Sequence, residues 1–312
     1  MHITYAFKLK ILKKGDFFQN KVNTTYLYML FTFYLMLYKA SIMSDKMLKF
    51  VNIGQQNPPK RPRDERNKDF NEIYKEFIDE KAKTQSSRCS QCGVPFCQVH
   101  CPLSNNIPDW LKLTAEGRLE EAYRLSQSTN NMPEVCGRIC PQDRLCEGNC
   151  VIEQSGHGTV TIGSIEKFLT ETAWEKNWIR PIQVKNEINQ SVGIIGAGPA
   201  GLACAEELRK SGYKITVYDT LFFTDQFLPK HENLQIVKGD IRDYEKVRTY
   251  SKNHDVFINL ACISNDASFE LDEGLSTSIN LNAFEPIVKV AKENLIKRFI
   301  YASSSSVYGV SD

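Results

Sequence analysis

Ser191–Asp219 reads SVGIIGAGPAGLACAEELRKSGYKITVYD. Residues 191–195 form a short apolar run, Gly196-x-Gly198-x-x-Gly201 follows at once, a helical segment comes next, and KITVY, 214–218, is closed by Asp219. That order predicts a strand, a tight turn, a helix and a second parallel strand, the opening of a doubly wound nucleotide-binding sheet. Gly196 permits the turn, Gly198 lets backbone approach a pyrophosphate, Gly201 lets the helix pack on the strand, and Asp219 is placed to bond ribose hydroxyls. Glycine spacing alone is a weak signal; the flanking strands and the acid point it at dinucleotide binding, without separating FAD from NAD.

Working outward toward the carboxy end, LQIVK (234–238), DVFINLA (255–261) and RFIYAS (298–303) alternate with helical segments. With the two strands above they predict five parallel strands and an α/β Rossmann-like domain over 191–312. Toward the amino end, IRPIQVKNEINQ (179–190) reads as a linker. Before it, Ile165, Phe168, Leu169 and Ala173 lie on one face of a helix predicted over Ile162–Trp178. Trp110, Leu111, Leu119, Ala122, Tyr123 and Leu125 fall at helical spacings, and Gly117 divides them into two helices. A further helix is predicted over Phe70–Lys83, preceded by an extended, basic, proline-bearing arm over Ile53–Phe70.

Eight of the ten cysteines fall between Cys89 and Cys150. They read Cys89-x2-Cys92-x4-Cys97-x3-Cys101-Pro102 and Cys140-Pro141-x4-Cys146-x3-Cys150, with Cys136 outside the pattern. Short spacings let one loop place several soft thiolates around an iron–sulfur cluster, and a proline after the last cysteine of a group is a ferredoxin feature. Two clusters sharing loops is the natural reading; four-cysteine zinc sites and disulfides are the alternatives. Cys204 and Cys262 sit in segments expected to pack, as small buried thiols. His100, beside Cys101, is read either as tuning a cluster or as a solvated loop histidine.

With 39 basic and 37 acidic residues the net charge is +2, which provides no field to recruit nucleic acid or an anionic membrane. Tyr26–Tyr38, YLYMLFTFYLMLY, is an uncharged run too short to span a bilayer. A signal peptide, a membrane-surface anchor and an extension upstream of a natural start at Met43 or Met47 are the readings of residues 1–46; the last is favoured, and the chain is expected to be cytoplasmic.

RCSQCGVPFCQVHCPLSNNIPDW, NNMPEVCGRICPQDRLCEGNC and VTIGSIEKFLTETAWEKNW resemble the amino-terminal domain of the small (β) subunit of NADPH-dependent glutamate synthase, over about Met47–Asp219. Related domains occur in dihydropyrimidine dehydrogenase. The resemblance implies a helical domain over 47–178 with two 4Fe-4S clusters, Cys89, Cys92, Cys97 and Cys150 holding one and Cys101, Cys140 and Cys146 the other. It places a non-cysteine fourth ligand on Glu166, a residue that spacing alone would leave as a solvated helix glutamate. GAGPAGL resembles that family's FAD site, and the family implies a large partner subunit that makes glutamate. No second GxGxxG follows, so the NADPH-binding segment that the family implies is absent from this sequence.

From about Gly212 onward the sequence resembles an NAD-dependent epimerase/dehydratase of the extended short-chain dehydrogenase family, on GYKITVYDTLFFTDQFLPKHENLQIVKGDIRD and on DVFINLAC through RFIYASSSSVYG. That resemblance implies that Asp240 and Ile241 flank the adenine, that NLAC lines the dinucleotide, and that Ser304 bonds the reacting sugar hydroxyl. The chemistry needs a tyrosine with lysine four residues later, and none of the thirteen tyrosines has one, so no epimerase turnover is expected. The seam falls near 212–220, where either family needs a β-branched strand closed by an acid, and packing of the first helix on the later strands is its expected weak point. Three readings follow: an iron–sulfur flavoprotein-type electron-transfer subunit lacking its NADPH domain, a sugar-nucleotide epimerase fragment, or an inactive fusion of the two.

Overall fold

The computed structural model describes residues 32, 34, 47–222, 224, 228 and 231–303. Ser304 and all of Tyr26–Tyr38 except residues 32 and 34 lie outside the described residues. The chain divides into two compact units, one of Met1–Cys101, Ile107–Ala122 and Gln142–Ile165, the other of Pro102–Asn106, Tyr123–Pro141 and Glu166–Asp312.

The helices of the cysteine-bearing region are α1 (Arg63–Arg66), α2 (Asp79–Ser86), α3 (Phe96–Val99), α4 (Ile107–Ala115), α5 (Leu119–Ser126), α6 (Pro133–Ile139), α7 (Val151–Gln154) and α8 (Ile162–Glu175). In the first unit α4 buries Ile107, Trp110, Leu111 and Thr114, the i, i+3, i+4, i+7 stripe of an amphipathic helix. The predicted break at Gly117 is a left-handed cap with φ +79. Gly117 N–H donates to Thr114 O at 3.0 Å and Arg118 N–H to Leu113 O at 2.9 Å, the paired bonds that satisfy the last carbonyls of a helix.

The helix predicted over Phe70–Lys83 starts later, at Asp79. Residues 70–78 are extended because their backbone groups are already paired: Arg61 N–H donates to Ile73 O at 2.8 Å and Lys75 N–H to Pro59 O at 2.9 Å. Asp79 and Glu80 then open α2, where their charge meets the positive end of the helix dipole. The arm over Ile53–Phe70 also carries the one-turn helix α1.

The second unit contains the predicted sheet. Its elements are β1 (Ser191–Ile195), α9 (Pro199–Lys210), β2 (Lys214–Asp219), β3 (Leu234–Lys238), α10 (Tyr244–Tyr250), β4 (Val256–Asn259), α11 (Asp266–Leu271), α12 (Glu273–Thr277), α13 (Phe284–Glu293) and β5 (Arg298–Tyr301). The strands run parallel in the order β3-β2-β1-β4-β5. This is the doubly wound order in which the chain reverses direction across the sheet between β1 and β4.

The expected seam is paired on both sides: β2 is in register with β1 (Ile215 opposite Val192) and with β3 (Ile215 opposite Leu234). The expected weak point is packed. Ala205 of α9 joins Val192, Ile194, Ile215, Val217 and Ile258 in one buried cluster that spans β1, β2 and β4. The opposite face is closed by Ile241, Val247, Ile287 and Val290 against Ile195, Tyr218, Val237 and Phe257. Burial on both faces explains why β1, β2 and β4 read as continuous apolar runs.

Candidate functional site

In the first unit, four thiols converge. Cys89, Cys92, Cys97 and Cys150 line one cavity, with Phe96, Pro108, Leu111, Val151, Ile152 and Ile162 supplying an apolar wall. Cys89 and Cys150 are buried, 7% and 9% exposed, while Cys92 and Cys97 are half-buried. The loop between Cys89 and Cys92 turns through Gln91, whose φ of +52 is left-handed. That turn aims Gln91 N–H at Cys89 Sγ (3.4 Å), and the Gln91 side-chain amide donates both to the same sulfur (3.3 Å) and to Pro108 O (2.7 Å). Such donors stabilise negative sulfur and tune a bound cluster.

Burial pushes the Cys89 thiol up to about 11 and the Cys97 thiol up to about 12, with the other thiolates adding to the shift. A cavity that disfavours the free Cys89 and Cys97 thiolates and carries two further thiols offers soft ligands to a cationic group, and such ligands suit an iron–sulfur cluster. Among the described residues no three His, Cys, Asp or Glu side chains close on a single ion. The thiols are instead spread around a cavity, and the donor set fits a 4Fe-4S cluster.

The second expected set divides between the units, Cys101 and Cys146 in the first and Cys140 and Glu166 in the second. Within the second unit Glu166 is not a solvated helix residue: it is 8% exposed and accepts a hydrogen bond from Asn130 Nδ2 at 3.0 Å. Burial raises its carboxyl to about 7. Asn130 Oδ1 accepts from Met132 N–H at 3.0 Å and from the Cys136 thiol at 3.7 Å. Cys136, which the sequence pattern left aside, is pushed up to about 12 by burial, by Glu166 and by Cys140. Asn130 and Gln91 are site residues that spacing did not reveal; their signal was only their place inside the two quoted cysteine segments.

At the sheet, Gly196 has φ +107, and a side chain there would meet Ala261 N at 2.9 Å. A side chain at Gly201 would sit 1.8 Å from Gly196 O. Gly198, which caps α9, has nothing within 4 Å of the position a Cβ would take. The middle glycine is therefore open on the face that a pyrophosphate would approach, and its neighbours are closed by backbone, as the motif requires. Asp219 Oδ2 accepts from Ala197 N–H and Oδ1 from Leu221 N–H, each at 2.7 Å, which ties the acid at the end of β2 to the glycine loop.

Of the residues expected at the adenine, Asp240 is clamped by Arg242, whose Nη2 donates to Asp240 Oδ2 at 2.6 Å. Ile241 is buried in the core at 7% exposure. Asn259, in the stretch expected to line the dinucleotide, is buried and accepts from Ala261 N–H at 3.2 Å. Cys204 is half-buried against the sheet cluster, whereas Cys262 is exposed, contrary to its expected packing, since it lies past Asn259, where β4 ends. His100 takes the solvated reading: it is exposed, stacks on Phe96 and donates from Nδ1 to Phe96 O at 2.9 Å. Among the described residues no helix is long and apolar enough to cross a membrane.

Comparisons with known proteins match two successive segments of the chain. Residues 66–178 match the family described as dihydropyrimidine dehydrogenase domain II, 4Fe-4S cluster, and residues 192–312 match the NAD dependent epimerase/dehydratase family. The glutamate synthase [NADPH] small chain of Azospirillum brasilense is 68% identical over 176 residues, covering 56% of this chain and 36% of that protein. Its Escherichia coli (strain K12) counterpart is 48% identical over 177 residues, covering 57% of this chain and 37% of that protein. The chain thus spans little more than a third of the length of these curated relatives. Among solved structures, the Bordetella bronchiseptica enzyme WbmH in complex with NAD+ is 28% identical at a TM-score of 0.36, covering 39% of this chain and 42% of that one. The amino-terminal region is therefore a 4Fe-4S domain like that of glutamate synthase small chains, and it is joined to an epimerase/dehydratase-type segment.

Proposed function

We propose that the chain works as an iron–sulfur oxidoreductase subunit of the glutamate synthase small-chain type, passing electrons between a dinucleotide cofactor and a large partner subunit. The observation that carries this reading is the cavity lined by Cys89, Cys92, Cys97 and Cys150, the set expected for one cluster. The second cluster falls to Cys101, Cys140, Cys146 and Glu166. When bound, a 4Fe-4S cluster supplies one-electron transfer at a potential that the protein sets.

The chain's own residues set the conditions for that transfer. Ile152, Ile162, Leu111 and Pro108 wall the thiols, and the Gln91 donors favour negative charge on the Cys89 sulfur against the burial that opposes it. Asn130 fixes the Glu166 carboxylate by one oxygen and leaves the other for a ligand bond. At the sheet, the open face of Gly198 and the amino end of α9 receive the pyrophosphate, and Asp219 keeps lone pairs for ribose hydroxyls beyond its two backbone bonds. FAD is the cofactor that the small-chain resemblance favours.

A second reading rests on the epimerase/dehydratase match over 192–312, in which the same loop takes NAD and the family resemblance assigns Asp240 and Ile241 to the adenine and Ser304 to a sugar hydroxyl.

Anaerobic purification with iron and acid-labile sulfide analysis tests the first reading. Brown protein with about equal iron and sulfide is expected; colourless protein with stoichiometric zinc would overturn it. Calorimetric titration with FAD and with NAD+ decides the occupant of the sheet.

A further inference from the structure

Arg88 stands directly before the first cysteine and is completely buried, 0% exposed. Its guanidinium donates to Ile53 O at 2.9 Å, to His157 O and Gly158 O at 2.8 Å each, and to Thr159 O. Every one of these acceptors is a backbone carbonyl. Carbonyl dipoles satisfy four of the five N–H donors but carry no net charge, so the buried cation is hydrogen-bonded yet electrically uncompensated. Among the described residues Arg88 forms no ion pair. Burying a charge without a countercharge is unfavourable, and structures that keep one place an opposite charge within reach.

The groups whose field reaches Arg88 are Cys150 and Glu153. Glu153 is exposed on α7 and screened by solvent, whereas Cys150 is 9% exposed and lines the four-thiol cavity, as does Cys89 next in sequence. The missing countercharge therefore lies in the cavity. Arginine suits this place because its planar fork reaches several carbonyls at once while carrying the charge.

We propose that Arg88 is the buried counter-cation of the cluster held by Cys89, Cys92, Cys97 and Cys150, and that it raises that cluster's reduction potential. The proposal rests on the cluster reading of the cavity. Reduction adds one electron with no bond made or broken, and Arg88 stabilises the form that carries the additional negative charge. It is a positioning and tuning residue, since its side chain is bonded to backbone carbonyls rather than to the thiols.

The test uses the full chain, reconstituted anaerobically, as wild type, Arg88→Gln and Arg88→Lys. Each is assayed for iron and sulfide and then titrated with dithionite under electron paramagnetic resonance. Arg88→Gln is expected to retain iron and to lower one cluster's reduction equilibrium constant at least tenfold, about 59 mV for one electron. Arg88→Lys keeps the charge without the planar fork and is expected to stay within about threefold of wild type. Equal potentials in all three iron-loaded proteins would overturn the proposal and leave the cluster reading standing. If Arg88→Gln loads no iron, Arg88→Lys decides: loading at the wild-type potential supports the charge, and loss of iron there too overturns it, because the fork and not the cation would then be what matters. Wild type without iron and sulfide would remove the cluster reading itself.

Discussion

The three glycines after β1 make opposite demands, and this separates the fold from the ligand site. At Gly201 an added methyl would lie 1.8 Å from Gly196 O and 2.8 Å from Gly196 C. An ordinary contact is roughly 3.5 Å, so helix or turn must shift by well over an ångström. The turn cannot swing away freely, because Gly196 N–H is bonded to Tyr218 O at 2.9 Å and its own Cβ position is blocked by Ala261. Gly201→Ala should therefore destabilise the sheet unit by about 3 kcal/mol or more, the upper end of overpacking, which is roughly 6–12 °C in Tm for a unit of this size. Gly198 has φ −69 and ψ −179, extended backbone open to any residue, with nothing within 4 Å of its Cβ position. Gly198→Ala should cost less than about 1 kcal/mol, since it exchanges one modest N-cap for a poorer one. Its methyl would nevertheless occupy the face a pyrophosphate approaches, so affinity for NAD+ and FAD should fall at least tenfold. Urea and thermal unfolding of the full chain followed by circular dichroism, with calorimetric titration of each dinucleotide, measure both effects. A Gly201→Ala protein as stable as wild type, or a Gly198→Ala protein that binds undiminished, would refute the assignment.

Cys97→Ser should abolish the first cluster and leave about half the iron, read by metal analysis; undiminished iron would mean that Cys97 is not a ligand. Trp110, 1% exposed, is the largest fully buried side chain of α4, and Trp110→Ala should cost about 3–5 kcal/mol in urea unfolding. Tyr218 donates from its hydroxyl to Asp240 O at 2.7 Å, and burial pushes it up to about 12. Because its pKa is higher folded than unfolded, the stability it contributes is intact below pH ~10 and is lost as pH rises through ~12. Tyr218→Phe should lose about 1 kcal/mol at neutral pH and flatten that alkaline decline, measured by unfolding across the range.

The inner strands β2, β1 and β4 were legible because both of their faces are covered, so each reads as an apolar run, whereas β3 and β5 were legible from their β-branched and aromatic residues between turns. The break at Gly117 was legible because only a left-handed residue closes α4 at that place. The late start of α2 was not: residues 70–78 have a helical look, but their backbone groups bond to 59–61, and local propensity carries no trace of a partner more than ten residues away. Cys262 illustrates the same limit, since its neighbours are apolar but it lies past Asn259, where β4 ends.

By itself the sequence determined the cysteine spacing, the glycine motif and the alternation of strands and helices after it, because each is a local constraint of loop reach, φ angle or side-chain periodicity. The tertiary structure decided that Cys150, more than fifty residues after Cys97, closes the same cavity, and that Asn130 meets Glu166. It also decided that Arg88 is buried with its guanidinium bonded to backbone carbonyls. Burial and long-range approach set the charge state of these groups, and both arise only when segments distant in sequence remove water from one another.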